Sequence, residues 1–112
     1  MDEKQRILRE NITEYYELGL FAFKQKKFNS ATSLFFKAIA SLGDLIILQK
    51  TGVVPSSHTD RFRILEQKFP DLYALFDRDF PFYQDSYTKK MDKESAELLK
   101  EDAEKLAKDS GI

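Results

Sequence analysis

The chain has 112 residues with no cysteine, no tryptophan, one histidine, three prolines and four glycines. Without cysteine there is no disulfide framework, no thiol nucleophile and no Cys-ligated zinc. The single histidine, His58, excludes a His-rich metal site within one chain, and neither a metal ligand set nor a cofactor motif can be read. Glycines 19, 43, 52 and 111 lie too far apart for either common phosphate-cradling loop. No Ser-His-Asp arrangement, HExxH, EF-hand or paired carboxylate motif is legible. The longest apolar runs, residues 20–23 and 45–48, fall far short of the ~20 residues of a membrane span. The opening MDEKQRILRE is charged from its second residue, unlike a secretory signal. These absences lead to the expectation of a soluble, cytoplasmic protein with no membrane partner.

Charge and aromatic rings are what the chain does have. One third of the residues are charged, 18 basic against 19 acidic, and there are ten phenylalanines and five tyrosines. The length suits one hydrophobic core, so residues 1–112 are read as a single domain. At this size a chain buries roughly two thirds of its unfolded surface, enough to dispense with a staple. The charge is uneven. Residues 1–19 hold three basic and five acidic side chains, residues 20–90 eleven and seven, and residues 91–112 four and seven. A basic centre suits the phosphates of a nucleotide or RNA, and equally a solvated surface of mixed sign. The near-neutral total argues against strong nonspecific binding to nucleic acid.

The apolar period is helical throughout, and no strand pattern survives. Ile7, Leu8, Ile12, Tyr15, Tyr16, Gly19, Ala22 and Phe23 recur at steps of three and four, predicting a first helix over about 2–26. Asn29 or Ser30 is placed to cap a second helix over about 30–50. That helix is apolar around so much of its circumference that it belongs in the middle of a bundle or at a subunit contact. Gly52 ends it. Ser57 and Asp60 approximate a capping box for a third helix over 58–68, which Pro70 stops. A short helix over 71–77 follows. Residues 80–87 read as a loop entering a helix, with Pro81 at its first position. Asp92 caps the last helix, whose narrow stripe of Ala96, Leu99, Ala103 and Leu106 predicts a place on the outside of the bundle.

Few residues carry candidate chemistry. His58 and Arg61, three apart, share a helical face and suit a phosphate or, as base and charge stabiliser, phosphodiester cleavage. The plainer alternative has His58 packed beside the loop and Arg61 paired with Asp60 or Asp85. Asp44 interrupts the apolar part of the second helix, so it is either buried with a partner the sequence does not name or turned towards a cleft. Tyr83, Tyr87 and Lys90 form a Tyr-x-x-x-Tyr-x-x-Lys face if their segment is helical, fit to stack a base and hold its phosphate. As core residues, the tyrosines would instead bury their rings and keep their hydroxyls at the rim. Lys24, Lys26 and Lys27 read as solvating the first helical hairpin.

The order of features is similar to that of the HEPN domain. Two long antiparallel helices come first, the second containing ATSLFFKAIA at 31–40. A GVVPSSH loop at 52–58 follows, then a shorter helix with Arg61, Phe62 and Leu65, the Tyr83–Tyr87 segment, and a charged helix with Ala96. The resemblance covers roughly residues 10–108. It implies an all-α, up-and-down bundle of four to five antiparallel helices, commonly a homodimer, that binds nucleotides or acts as a ribonuclease or toxin, often beside a small nucleotidyltransferase. Ribonuclease members carry Arg, four to six residues, then His. Here no histidine follows Arg61, Arg63 or Arg78, so no catalytic residue is carried over. The resulting expectation is a bundle without the nuclease motif that binds a nucleotide, RNA or a nucleotidyltransferase-type partner. The alternatives are a ligand-free interaction scaffold and a divergent ribonuclease using His58 and Arg61. Gly19, Ala31, Phe35 and Ala38 also resemble one tetratricopeptide-like hairpin, but a single copy cannot build a solenoid.

Overall fold

Asp2 opens α1 (Glu3–Lys24), its side chain accepting a hydrogen bond from the Gln5 N–H at 2.8 Å. The structure, a computed structural model, describes residues 2–112. Residues 25–27 reverse the chain, with Lys26 in the left-handed conformation at φ 60°. They lead into α2 (Phe28–Thr51), which ends on Gly52 at φ 79°, a conformation that suits a residue without a Cβ. Ser57 caps α3 (His58–Lys68) through the Asp60 N–H, and Asp60 in turn accepts from the Ser56 N–H. Phe69 joins α3 to α4 (Pro70–Asp85), and Pro70 takes the first position of that helix. Asp92 caps α5 (Lys93–Asp109). The protein is an all-α bundle with no strand among the described residues.

α2 is the central rod. It packs against α1, α5 and α4, while α3 leans on α4. Phe35, Phe36, Ile39, Leu42, Leu45 and Ile47 on α2 are all at most 1% exposed. By length and composition α2 would be apolar enough to cross a bilayer, although no single apolar run in it is long. In the fold, 83% of its most apolar window is buried by the rest of the bundle. The wide apolar arc therefore marks the middle of the bundle, as one of the two readings of the sequence has it. Two close approaches depend on glycine. A Cβ on Gly19 would lie 2.7 Å from the Phe35 ring, and one on Gly43 would lie 2.6 Å from the Phe76 ring.

Three local expectations are corrected. Neither Asn29 nor Ser30 caps α2. The cap position is Lys27, without a side-chain hydrogen bond, and Asn29 lies inside the helix. Its amide instead pins residues 86–91, donating to the Ser86 and Lys89 carbonyls and accepting from the Met91 N–H. α4 does not stop at residue 77 but runs through Pro81 to Asp85. Pro81 removes the hydrogen bond to the Asp77 carbonyl, and both residues face solvent, where water is available to that oxygen. α5 lies on the outside of the bundle as expected, with Glu94, Glu97, Glu101 and Lys105 exposed, while Ala96, Leu99, Ala103 and Leu106 are each at most 1% exposed. A narrow stripe suffices when it seats against the broad apolar face of α2. Ile7, by contrast, lies outside the core at 43% exposure.

Candidate functional site

The least expected feature of the interior is an ion pair between α2 and α3. Asp44 and Arg61 are each less than a tenth exposed. Arg61 Nε donates to Asp44 Oδ1 at 2.7 Å and Nη2 donates to Oδ2 at 3.0 Å, a two-point fork. The partner of Arg61 is thus neither Asp60, which pairs with Arg63, nor Asp85, which pairs with Lys89. Asp44 does not open onto a cleft, and Arg61 is not free to meet a ligand.

The third arm of Arg61 gives the pair its chemical consequence. Arg61 Nη1 lies 2.7 Å from His58 Nδ1. A guanidinium has only donors, so Nδ1 must accept and the imidazole proton sits on Nε2. Partial burial of the ring, then the positive charge of Arg61, lower the His58 pKa, with Asp44 opposing. At neutral pH His58 is an uncharged ring with a fixed Nε2–H. It is packed among Phe36, Phe80 and Tyr83 at centroid distances of 6.4, 5.2 and 6.0 Å.

His58, Phe36 and Tyr83 line a cleft of about 220 Å³ completed by Tyr15, Lys37, Ala40 and Ser41, with Phe80 packed behind the His58 ring. Tyr83 stacks on Phe36 at 4.9 Å, and its hydroxyl lies 2.8 Å from that of Tyr87. Burial and the Tyr87 hydroxyl raise the Tyr83 pKa, so the phenol stays protonated. Tyr87 is 68% exposed. The Lys37 ammonium lies 5.9 Å from the centre of the Tyr15 ring.

The fold gathers His58, Arg61, Asp44 and Tyr83 into one unit, with Tyr87 attached through its hydroxyl. Lys90 does not join them. The helix ends at Asp85, so the Tyr-x-x-x-Tyr-x-x-Lys face is broken, and Lys90 lies instead beside Lys26 and Lys27. Sequence reasoning overlooked Tyr15, Phe36, Lys37 and Ser41 as cleft residues. Lys37 and Ser41, four apart on α2, are the polar interruptions that mark its outer edge, a signal present in the sequence.

A second polar cluster joins α4 to α5. Asp79 is fully buried, and its Oδ1 accepts from Arg78 Nε at 3.0 Å. Arg78 also pairs with Asp102. Asp79 Oδ2 has no donor facing it. Burial, then a hydrogen bond to Asp102, push the Asp79 carboxyl up to about 8. It therefore carries a proton at neutral pH. This is a carboxyl pair, a feature the sequence did not disclose because its members are 23 positions apart. No group of three or more metal-ligating side chains occurs among the described residues.

Two other hollows have acidic rims. One of about 520 Å³ lies between α1, α2 and α5, with Glu17 and Glu104 at its edge. The other lies along α1 beside Glu10, Glu14 and Glu17. No protein-family model, no curated protein and no solved structure matches this chain.

Proposed function

We propose that this is a HEPN-like bundle that binds a nucleotide without cleaving RNA, in the cleft between α2, α3 and α4. The observation that carries this reading is the Nε2–H of His58, fixed by the Arg61 contact to Nδ1, on a ring that lines the same cleft as the stacked Phe36 and Tyr83 and as Lys37. A nucleobase needs a flat apolar wall and an oriented donor for its ring nitrogen or carbonyl. A phosphate needs a nearby cation. Asp44 and Arg61 act beneath the ligand as positioning residues.

The ribonuclease alternative fits the same geometry poorly. The Nδ1 lone pair is taken by Arg61, and Nε2 already holds the proton, so His58 has no free basic nitrogen for a ribose hydroxyl. Self-association belongs to this reading too. Ile7, Leu18 and Phe21 leave an exposed apolar row on α1, 43%, 49% and 63% accessible, as surface for a second copy. A cytoplasmic homodimer beside a nucleotidyltransferase-type partner is the setting proposed.

Thermal unfolding with and without nucleotides, for the natural chain and His58→Ala, tests the cleft. Saturation near one hundred times Kd raises stability by about 2.7 kcal/mol, and the variant loses the shift. No shift with any nucleotide leaves the scaffold reading, and RNA cleavage abolished by His58→Ala restores the nuclease. Light scattering checks the dimer, which Phe21→Glu is expected to dissociate.

A further inference from the structure

Three shallow clefts run end to end along one side of the molecule, and none has a carboxylate in its lining. The first, about 380 Å³, takes Lys26, Lys27 and Lys90. The second, about 370 Å³, shares Asn29 and Ser30 with the first and has Tyr87 as a wall. The third is the His58 cleft with Lys37. Ser30, Ser33, Lys37 and Ser41 follow one another along α2 at steps of three and four, so they form a single row beneath all three clefts. The Tyr83–Tyr87 hydroxyl contact joins the second cleft to the third.

The charge along this path is selective. The chain has 19 acidic side chains, and the two hollows elsewhere are rimmed by glutamates. This path has four lysines. None of the four belongs to an ion pair among the described residues. The extent of the path is also informative. Eleven residues separate Ser30 from Ser41, a helical rise of ~17 Å at 1.5 Å per residue. One nucleotide cannot reach both ends, whereas about five stacked nucleotides span it at 3.4 Å per step.

We propose that the path is a groove for a single strand of nucleic acid, with phosphates on Lys26, Lys27, Lys90 and Lys37 and bases on the exposed Tyr87 ring and in the His58 cleft. This rests on the reading of that cleft as a nucleotide site and extends it from one nucleotide to a strand. Lysines on flexible stems neutralise phosphates without demanding a sequence, and every base offers a face to an aromatic ring. An acidic protein segment would use the lysines but would leave the tyrosine wall and the His58 donor unused.

The test is anisotropy with end-labelled oligouridylates of three, six and twelve nucleotides between 50 and 200 mM salt, with uridine monophosphate and an oligoglutamate peptide as comparisons. Affinity is expected to rise from three to six nucleotides and then level off. The slope of log K against log salt should be about −3 for four lysine–phosphate contacts on a single strand. Lys26→Glu/Lys27→Glu/Lys90→Glu should weaken the hexamer at least tenfold while keeping the helical circular dichroism and the monophosphate affinity. A monophosphate that binds as tightly as the hexamer, or a triple variant that holds the hexamer like the natural chain, overturns the groove and leaves the cleft standing. Oligoglutamate binding as tightly as the hexamer overturns it as well. If neither monophosphate nor hexamer binds, groove and cleft fall together.

Discussion

Replacing Asp79 with asparagine removes the one buried carboxyl whose proton the fold retains at neutral pH. In the native chain Asp79 is fully buried, faces Asp102 and is raised by that burial to about 8. In the unfolded chain it titrates near its ordinary value of 3.8. The sign follows from linkage. A group whose folded pKa is raised contributes stability that is fully present below the unfolded pKa and is lost as pH rises through the folded one. Between about pH 4 and 8 the folded state holds a proton that the unfolded state has released, so stability falls by up to ~1.4 kcal/mol per pH unit. From pH 5 to 7 the loss due to Asp79 is about 3 kcal/mol at most. Asparagine is neutral at every pH, and its amide can donate to Asp102 where the carboxyl proton did. Other carboxylates, such as Glu104 beside Tyr16 and Lys100, have lowered pKa values and pull the other way, so the informative quantity is the difference between the two proteins at each pH. Thermal unfolding by circular dichroism at pH 5, 6, 7 and 8 reads it. The variant should gain on the natural chain as pH rises. At ~4 °C per kcal/mol for a domain near this size, the gap should widen by roughly 10 °C between pH 5 and 7. A difference that stays flat across this range, or one that moves against the variant, refutes a proton retained on Asp79 at neutral pH.

Two other substitutions probe the interior. Arg61→Ala leaves Asp44 buried without its fork and should cost about 3–5 kcal/mol, with Asp44→Asn/Arg61→Met recovering much of that loss in urea unfolding. In Arg61→Met the single histidine, followed by NMR titration, should move to a higher pKa than in the natural chain, because the guanidinium that depresses it is gone and Asp44 remains. Gly43→Ala places a methyl 2.6 Å from the fully buried Phe76 ring and should destabilise by about 1–3 kcal/mol, which Phe76→Leu in the same chain should partly relieve.

The helices were legible where apolar periodicity and end signals agree. α3 has the expected bounds because Ser57 and Pro70 act within one turn of its ends. α2 is the expected central rod because its buried arc is almost wholly apolar, with Thr32, Ser41 and Asp44 its buried polar residues. The misjudged segments are those where a tertiary contact outweighs a local signal. Asn29 has a good capping side chain, yet three hydrogen bonds to a segment some sixty positions away occupy it. Pro81 reads as a helix start in isolation, but Phe76 and Asp79 before it and Tyr83 after it face inward in one continuous turn pattern, and that packing carries the helix through.

The candidate site shows the same division more sharply. Residue types on one helix are visible from spacing, so His58 and Arg61 stand out as a pair at once. Their roles are set from another helix. Asp44, seventeen positions earlier, turns Arg61 inward and makes it a support. Arg61 in turn fixes the proton of His58 on Nε2. A sequence containing His58 and Arg61 without Asp44 would leave the guanidinium free to meet an anion, which is the chemistry that spacing alone suggests. With Asp44 present the guanidinium is held inward, and its third arm orients the neutral imidazole as a donor backed by rings. The cations proposed to meet phosphate are lysines from the 25–27 turn, α2 and the 86–92 segment, brought to one side only by the folding of the bundle.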